Sequence, residues 1–374
     1  MKCNYPHPGF SSRLVSLFLA VFMLGSCGTI AVHNTRGNAF RKTLAAMDWG
    51  SDTCYVYGHK TPDADAACSS LAYAQLMRSL GYNCVAKLSS PSNNETRYIS
   101  GVFDFKLPVV KSSVAPGTRL IVTDHEEYSQ GVDGARQSRI LQIIDHHMED
   151  DMASADVAFI RRETVGATCT VVWELFQEAA VPVDDLTARI LLAGLLSDTD
   201  NLAKSNTTRA DSLAWQALTA QLNLSPERVA VIRKGMVDAL TNYDGMSDYE
   251  IFISDYKDYD MSGTAVGIGC VEWIDYAHME PFLDRMLAVM PEVMARKGRE
   301  RLFLMATRYA PSPDPASGKV VAEGTYILYC GEGARQMAEL AAGQSLREGI
   351  CYSGHRLGRK TDVVPLFTAF LGSR

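Results

Sequence analysis

The residues with the clearest chemical potential are histidines and aspartates in four short motifs. The motifs are Gly58-His59-Lys60-Thr61-Pro62-Asp63-Ala64-Asp65, Val122-Thr123-Asp124-His125, Ile144-Asp145-His146-His147 and Ser197-Asp198-Thr199. One such motif alone would more often be a helix cap or a polar turn. Four of them at the ends of successive predicted elements instead indicate one cluster. Crowded carboxylates repel one another, so such a cluster is physically reasonable when cations lie between them.

The donor types restrict which metal these residues would hold. Carboxylate oxygen and imidazole nitrogen without thiolate favour Mn, Co, Mg or Fe over a structural zinc. The candidate ligand set is His59, Asp63, Asp65, Asp124, His146 and Asp198. Six protein ligands exceed what one catalytic ion with open positions accepts, so we expect two ions. Two ions about 3.5–4 Å apart activate water and stabilise an in-line displacement at phosphorus.

Three predicted strands must position most of these motifs. Short apolar runs at 54–57, 120–123 and 140–144 each lead directly into one of the motifs. A helical pattern over 66–80, closed by Gly81, follows the first motif. The carboxyl ends of parallel strands meet at one edge of an open sheet, where ligand crevices form. Motifs that are distant in sequence are therefore expected to converge there.

The rest of the chain predicts further helices and a second unit. Helical patterns cover 169–180, 186–196, 209–222 and 229–240. Strand-like runs at 265–271, 302–307 and 326–328 alternate with helical patterns at 278–296 and 334–341, and the proline-containing segment 310–319 is expected to be an exposed loop.

The predicted fold class is α/β with two domains. The N-terminal domain, with a parallel sheet, is expected at 47–222, and a smaller mixed-sheet α/β domain at 227–374. Asn, Ser and Pro residues at 223–226 predict the linker between them.

Residues 1–46 differ from the rest of the chain. Lys2 and Arg13 precede an apolar stretch at 14–24, which leads into Gly25-Ser26-Cys27. This pattern resembles a bacterial lipoprotein signal with Cys27 as the acylated residue, and the stretch is shorter than the about 20 apolar residues that a membrane span needs. The alternative is that translation begins at Met47. Free thiols and intracellular chemistry favour a cytoplasmic protein, so membrane attachment is expected only if Cys27 is lipidated.

Composition excludes some classes of function. The 374 residues include 36 Lys and Arg and 43 Asp and Glu, a formal net charge of −7 that argues against nucleic acid as the partner. Nine cysteines without any C-x-x-C pair suggest neither a disulfide scaffold nor a cysteine zinc site. A small polyanion is not excluded by the charge, because bound divalent cations would reverse the local sign.

In this order the four motifs resemble those of the DHH phosphoesterase superfamily. Within it, the chain is similar to the family II, manganese-dependent inorganic pyrophosphatases over roughly residues 53–368. The narrower resemblance depends on Asp145-His146-His147, Gly166-Ala167-Thr168 and Gly358-Arg359-Lys360-Thr361-Asp362-Val363-Val364-Pro365. It implies hydrolysis of pyrophosphate to two orthophosphates by a hydroxide that two metal ions activate.

The resemblance also implies roles for individual residues. His59 and Asp63 would hold one metal and Asp65 and His146 the other, with Asp124 and Asp198 bridging both. His147 would lie beside the substrate, and His125 and Asp145 would orient ligands. The residues that would bind phosphate are Lys234, Arg359 and Lys360. The implied cofactors are two Mn²⁺ per subunit, with Co²⁺ as an alternative, and Mg²⁺ that arrives with the substrate. A homodimer through an edge strand of the first domain is implied as well.

Three departures from the family pattern affect the substrate side. Glu126 replaces the usual Asn after Asp124-His125, Gly358-Arg359-Lys360-Thr361 replaces Ser-Arg-Lys-Lys, and Asp200-Asn201 partly replaces apolar residues. The metal ligands remain complete, so these changes bear on substrate affinity and on the preference for pyrophosphate over longer polyphosphates.

Three alternative functions therefore stay open. The first is an exopolyphosphatase of the same superfamily. The second is a phosphodiesterase acting on short oligonucleotides or cyclic dinucleotides, which would carry Gly-Gly-Gly-His near its end, where this chain has only Ser353-Gly354-His355. The third is a surface lipoprotein that binds metal without catalysis, and the complete ligand set speaks against it.

Overall fold

The computed structural model describes residues 35–148, 151–154, 156–273, 278–311 and 320–373. The lipoprotein-like segment with Cys27 and most of the predicted loop at 310–319 lie outside the described residues. Among the described residues, no helix has the length and apolar character that crossing a membrane requires.

The first unit is built around a parallel sheet. Its strands are β1 Cys54–Tyr57, β2 Cys84–Lys87, β3 Arg119–Thr123, β4 Arg139–Asp145 and β5 Phe159–Arg162. Its helices are α1 at 35–46, α2 Ala64–Ser79, α3 Asn94–Val102, α4 Thr168–Glu178, α5 Asp185–Asp198, α6 Arg209–Gln221 and α7 Pro226–Leu240. The strand order is β2-β1-β3-β4-β5, and every pair is parallel. The strands that precede the first three motifs therefore end at the same edge of the sheet.

The second unit contains a mixed sheet. Its elements are α8 Asp248–Phe252, β6 Tyr256–Met261, β7 Thr264–Trp273, α9 Met279–Lys297, β8 Arg301–Pro311, β9 Val320–Cys330, α10 Ala334–Ala342, β10 Gln344–Arg347, β11 Ile350–Ser353 and α11 Val364–Gly372, with a π-helical turn at Arg359–Val363. The sheet order is β10-β11-β9-β8-β7-β6, with β7 and β8 parallel and the other pairs antiparallel. The predicted α/β class with a parallel first sheet and a mixed second sheet is confirmed.

Small side chains let α2 lie between the sheet and α5. Ala66, Ala67, Cys68 and Ala72 on α2 are all fully buried. A helix that is apolar on most of its surface must be covered on most sides, and here it joins the main core of the first unit. This helix carries Asp65, so the packing of α2 also fixes a predicted metal ligand.

Two helices outside the predicted first domain pack on its core. In α1, Phe40 and Leu44 are buried there, and Arg36 pairs with Glu178 at 3.4 Å. A chain that began at Met47 would lack these contacts.

The second helix is α7, which follows the predicted linker. The linker residues begin this helix, because Ser225 caps its N-terminus and Pro226 occupies its first turn. Val229, Ile232 and Met236 of α7 then join the first core. The division at 223–226 stays a prediction, but the packing of α7 is with the first unit.

Candidate metal centre

The loop after β1 and the start of α2 hold the first predicted ligands. His59 lies just past the end of β1, and Asp63 caps α2 because its Oδ1 accepts the Ala66 N–H at 3.0 Å. Asp65 lies in the first turn of α2 and is fully buried. Acidic side chains are favoured at a helix N-terminus by its free N–H groups and dipole. The start of α2 therefore holds carboxylates at the carboxyl edge of the sheet.

The ends of β3 and β4 supply the next group. Asp124 directly follows β3, and its φ of 64° lies in the left-handed region that non-glycine residues rarely adopt. Its N–H donates to the Ile144 carbonyl at 3.0 Å, so the neighbouring strand holds this backbone. β4 ends at Asp145, and His146 and His147 follow. Backbone strain of this kind concentrates at functional sites.

Donor atoms of seven residues form three overlapping groups, and the atoms within each group lie within 4.8 Å of one another. The groups are His59, Asp63 and Asp124; Asp65, Asp124, His146 and Asp198; and Asp124, His146 and His147. Asp124 belongs to all three, because its Oδ2 lies 3.5 Å from His59 Nε2 and its Oδ1 lies 3.4 Å from His146 Nε2. Asp198 Oδ2 lies 3.5 Å from His146 Nε2. The structure thus brings all six predicted ligands together, and their roles as ligands remain predictions.

The Gly166-Ala167-Thr168 segment orients two of the carboxylates. Asp65 accepts the backbone N–H groups of Thr168 and Cys169, at 2.6 and 3.0 Å, where α4 begins. The Thr168 hydroxyl donates to Asp124 Oδ1 at 3.0 Å. Because the first N–H groups of a helix have no partner within the helix, they are available to hold an anion.

Three histidines are oriented through Nδ1. His146 donates to the Val165 carbonyl at 3.0 Å, His147 to Asp145 Oδ1 at 2.9 Å and His125 to the Thr123 carbonyl at 3.0 Å. Partners of this kind fix the tautomer of a metal-ligating histidine and leave Nε2 free. Asp145 thus orients His147. His125 is buried outside the three groups, and burial together with His59 lowers its pKa to about 4.

Without cations, the ionised forms of Asp65 and Asp198 are unfavourable, whereas, against the effect of burial, His59 and His146 lower the pKa values of Asp63 and Asp124 respectively. Burial, with the charges of Asp124 and Asp198, raises the pKa of Asp65 well above its usual range. Burial also raises the pKa of Asp198 to about 6; Lys204 opposes this shift, and the charges of Asp63 and Asp124 add to it. Each carboxylate makes it harder for its neighbours to ionise, so bound cations would stabilise the ionised cluster.

The donor set fits divalent cations. His146 Nε2 is buried, and no hydrogen-bond partner for it exists among the described residues. Burial lowers the pKa of His146, but the Asp124 carboxylate 3.4 Å away, with the charges of Asp198 and Asp65, outweighs it and raises that pKa to about 10. A cation at Nε2 would occupy the position of that proton. Oxygen and imidazole donors without thiolate suit manganese.

The predicted phosphate-binding cations are placed differently from one another. Lys360 Nζ lies 3.4 Å from Glu127 Oε1 beside the metal cluster. Arg359 is directed back into its own unit, where it binds the Asp255 carboxylate at 2.7 Å. Lys234 lies half-exposed on α7 and pairs with Asp238 on the same helix at 2.6 Å, so the structure does not bring it to the cluster.

Arg233, next to Lys234, was missed by the sequence analysis. It is buried and donates to Glu95 Oε1 at 2.6 Å and to Asp200 Oδ1 at 2.9 Å. The other Glu95 oxygen accepts the hydroxyl of Ser197, the residue before Asp198, at 2.9 Å. The helical spacing of α7 indicates the burial of Arg233, because the apolar residues Val229, Ile232 and Met236 place position 233 close to the buried face.

Residues that depart from the family pattern form hydrogen bonds and ion pairs in the structure. Glu126 is fully buried and receives two hydrogen bonds from Arg162 of β5, at 2.7 and 2.6 Å. Asp200 pairs with Arg233, and Asn201 accepts the Trp215 indole N–H at 2.9 Å. A bidentate arginine and carboxylate pair satisfies a buried charge well.

Gly194 of α5 provides a test of how closely Asp65 is held. A Cβ at this position would lie 2.4 Å from Cys169 Sγ and 2.7 Å from Asp65 Oδ1. We expect Gly194→Ala to destabilise the fold by about 1–3 kcal/mol through overpacking and to weaken Mn²⁺ binding by about tenfold, because the carboxylate must move. Calorimetric Mn²⁺ titration and thermal unfolding check both effects.

The matched control is Gly101→Ala on α3, where a Cβ would meet no atom within 4 Å. Its Mn²⁺ affinity should equal that of the wild type. If Gly194→Ala bound Mn²⁺ with the same affinity as the wild type, the placement of Asp65 at the metal would be contradicted.

Comparisons with known proteins assign domain families to both parts of the chain. The DHH family N-terminal domain model matches residues 53–195, and the DHHA2 domain model matches residues 234–370. A manganese-dependent inorganic pyrophosphatase from Methanothrix thermoacetophila is 29% identical over 317 residues, 84% of this chain and 97% of that protein. A relative from Clostridium acetobutylicum, with the same activity in its assigned name, is 27% identical over 85% of this chain and 98% of that protein.

The solved structures include a similar fold. A Methanococcus jannaschii protein, described as a candidate family II inorganic pyrophosphatase, superposes with a TM-score of 0.73 at 25% identity, covering 86% of this chain and all of that one. The two domain models cover the motifs around His59, Asp124 and His146 and the segment around Arg359 and Lys360. The chain therefore carries a DHH family N-terminal domain followed by a DHHA2 domain, and its resemblance to the manganese-dependent inorganic pyrophosphatases is confirmed.

Proposed function

We propose that this protein hydrolyses inorganic pyrophosphate to two orthophosphates in a manganese-dependent reaction. The observation that carries the proposal is Asp124, whose two oxygens face two different groups of candidate ligands at 3.4–3.5 Å. The alignments cover 97% and 98% of the length of two relatives, and both relatives are named as manganese-dependent inorganic pyrophosphatases. Their names support the same activity for this chain.

Each part of the site has a role in this reaction. Mn²⁺ bound at these ligands would act as a Lewis acid and lower the pKa of water. His147, held by Asp145, is only partly buried and borders the cluster, so it can contact a phosphate oxygen. Lys360 supplies positive charge from the second unit. Phosphoryl transfer depends mainly on such positioning and charge stabilisation.

The second candidate activity, exopolyphosphatase, depends on the segment at 358–361. Thr361 stands where the family has a lysine, and its exposed hydroxyl hydrogen-bonds to Asp362 at 3.2 Å. Because the segment 358–361 has one cation fewer than the family pattern, the argument for pyrophosphate over longer polyphosphates is weaker. The departure does not touch the metal cluster, so the reaction type stays the same in both candidates.

A phosphate-release assay tests the proposal. With the full chain and Mn²⁺, we expect pyrophosphate to be hydrolysed with a kcat/KM at least about tenfold above that for tripolyphosphate, and EDTA to abolish the activity. Asp133→Asn, which changes an exposed carboxylate, is the control and should behave as the wild type. A preference for tripolyphosphate would favour the exopolyphosphatase, and no release from either substrate would overturn the proposal.

We also propose two Mn²⁺ per subunit, replaceable by Co²⁺, with Mg²⁺ accompanying the substrate. A homodimer through an edge strand of the first sheet, β2 or β5, and a cytoplasmic location are further proposals. Ile160 on β5 is exposed, which supports a contact there. Light scattering tests the dimer, and mass spectrometry of the mature N-terminus tests attachment through Cys27.

A further inference from the structure

The segment 165–170, which runs from the loop after β5 into the first turn of α4, contacts three of the predicted metal ligands. These ligands are Asp65, Asp124 and His146, which belong to one group of donor atoms. The Val165 carbonyl accepts the ring N–H of His146 at 3.0 Å, and the Thr168 hydroxyl donates to Asp124 at 3.0 Å. The backbone N–H groups of Thr168 and of the residue after it donate to the two oxygens of Asp65 at 2.6 and 3.0 Å. A shift of this segment would therefore move all three ligands.

A fully buried carboxylate, Asp211 in the first turn of α6, binds this segment at two points. Its Oδ2 accepts the Gly166 N–H at 2.8 Å, and its Oδ1 accepts the Thr170 hydroxyl at 2.7 Å. The approach is close, because a Cβ at Gly166 would lie 3.0 Å from Asp211 Oδ2. Hydrogen bonds to an ionised acceptor are stronger than those between neutral groups, and burial strengthens them further. Asp211 thus holds the segment on both sides of Thr168.

Asp211 also has a local role at the start of α6. Its Oδ2 accepts the N–H and the hydroxyl of Thr208, each at 2.7 Å, and the two residues form a capping box. A capping box by itself does not require burial, since Glu250 forms one at the start of α8 with an exposed carboxylate. The bonds of Asp211 to Gly166 and Thr170, which lie far away in the sequence, are not part of that motif. They indicate a second role beyond the capping of α6.

We propose that Asp211 is a positioning residue of the metal centre, which fixes the segment 165–170 and through it three of the candidate ligands. Within the described residues its side-chain hydrogen bonds go to Gly166, Thr170 and Thr208, so it would act on the metal only through the segment. The inference rests on the proposed function for the identity of the metal, Mn²⁺. Asp211 was not recognisable from the sequence, because Thr-x-x-Asp at the start of a helix indicates a cap and nothing more.

The test compares Asp211→Ala, Asp211→Asn and Thr170→Val with the control Thr208→Ala, all in the full chain. The control removes the N-cap hydroxyl of α6 and leaves both contacts of Asp211 with the segment in place. The Kd for Mn²⁺ is measured by calorimetry on metal-free protein, and the midpoint of thermal unfolding is measured without and with Mn²⁺. The kcat and KM for pyrophosphate are measured at saturating Mn²⁺.

We expect Asp211→Ala to raise the Kd for Mn²⁺ by about tenfold to a hundredfold, because residues that orient metal ligands have effects of this size. Asp211→Asn should recover part of the affinity, since its amide oxygen can still accept the Gly166 N–H. Thr170→Val should raise the Kd less than Asp211→Ala, because it removes one of the two contacts. For these variants at saturating Mn²⁺, kcat should fall while KM changes little. Thr208→Ala should unfold at a lower temperature and keep the wild-type Kd for Mn²⁺.

A role limited to the capping of α6 predicts a different pattern. Folded Asp211→Ala would then resemble Thr208→Ala, with a lower unfolding midpoint and the wild-type Kd for Mn²⁺, and that result overturns the inference. If Asp211→Ala does not fold, Asp211→Asn and Thr170→Val decide, and wild-type Mn²⁺ affinity in both overturns it.

The outcomes separate this inference from the proposed function. Wild-type protein that binds Mn²⁺ but releases no phosphate, with weaker Mn²⁺ binding in Asp211→Ala, would contradict the activity and support the positioning role. Wild-type protein that hydrolyses pyrophosphate, with Asp211→Ala equally tight in Mn²⁺ binding and equally active, would support the activity and overturn the positioning role.

Discussion

Asp124→Asn is expected to lower kcat/KM for pyrophosphate by about 10³-fold or more, because one carboxylate serves all three ligand groups. Asparagine has the same shape and tolerates the left-handed backbone at φ 64°. Its carbonyl oxygen can also still accept the Thr168 hydroxyl, which donates to Asp124 Oδ1 at 3.0 Å. The lost quantity is therefore charge, with little change in packing, and steady-state kinetics at saturating Mn²⁺ measure it.

Thermal unfolding distinguishes this explanation from misfolding. In the metal-free protein Asp124 Oδ1 lies 3.4 Å from His146 Nε2, and the pKa of Asp124 is lowered, so Asp124→Asn should cost some stability but should still unfold in one cooperative transition. Mn²⁺ should raise its unfolding midpoint much less, because stabilisation by a ligand follows its affinity. Asp133→Asn, with an exposed carboxylate, should respond to Mn²⁺ as the wild type does. A variant that binds Mn²⁺ normally and retains activity would contradict the central place of Asp124.

Arg233→Ala is expected to lower the free energy of unfolding by about 3–5 kcal/mol. Arg233 neutralises Glu95, which is 4% exposed, and its removal leaves that carboxylate buried without its cation. The Asp200 partner is lost at the same time. Because Glu95 also accepts the Ser197 hydroxyl next to Asp198, we expect activity to fall as well. Denaturant unfolding and pyrophosphate kinetics on the same preparations measure both losses.

The neighbouring residue is a matched comparison on the same helix. Lys234→Ala removes an exposed pair with Asp238 and should cost about 0.5 kcal/mol or less. Arg233→Lys should lie between the two, because one ammonium cannot replace a planar fork that binds two carboxylates. Equal stability of Arg233→Ala and Lys234→Ala would contradict the buried network. A large rise in KM for Lys234→Ala would instead support the role that the sequence predicted for Lys234.

Local sequence patterns were sufficient to predict three of the five strands of the first sheet and the residues of the candidate metal cluster. The strands at β1, β3 and β4 are buried apolar runs that end in motif residues, so both signals coincide there. The strands β2 and β5 were missed because they are only partly buried, and β5 contains two arginines. One of them, Arg162, neutralises buried Glu126, a partner 36 residues away that no local pattern indicates.

The phosphate side of the site shows where local information ends. Lys234 and Arg233 are adjacent and both positively charged, and the family resemblance implied a phosphate-binding role for Lys234. The rotation of α7 against the first core turns Arg233 inward and leaves Lys234 exposed. A difference of one residue rotates a helical side chain by about 100°, so only packing decides which cation is buried.

From the sequence by itself the reaction type and a candidate ligand set could be predicted, because His59, Asp63, Asp65, Asp124, His146 and Asp198 each adjoin an element end that hydrophobic patterning locates. Only the tertiary structure decided how the cations are placed, since Arg233 and Lys360 take their positions from contacts between distant segments. The physical reason is that ligands at strand ends converge through parallel pairing, which sequence patterns indicate. A charge buried between packed elements is instead determined by long-range packing and by the partners that neutralise it.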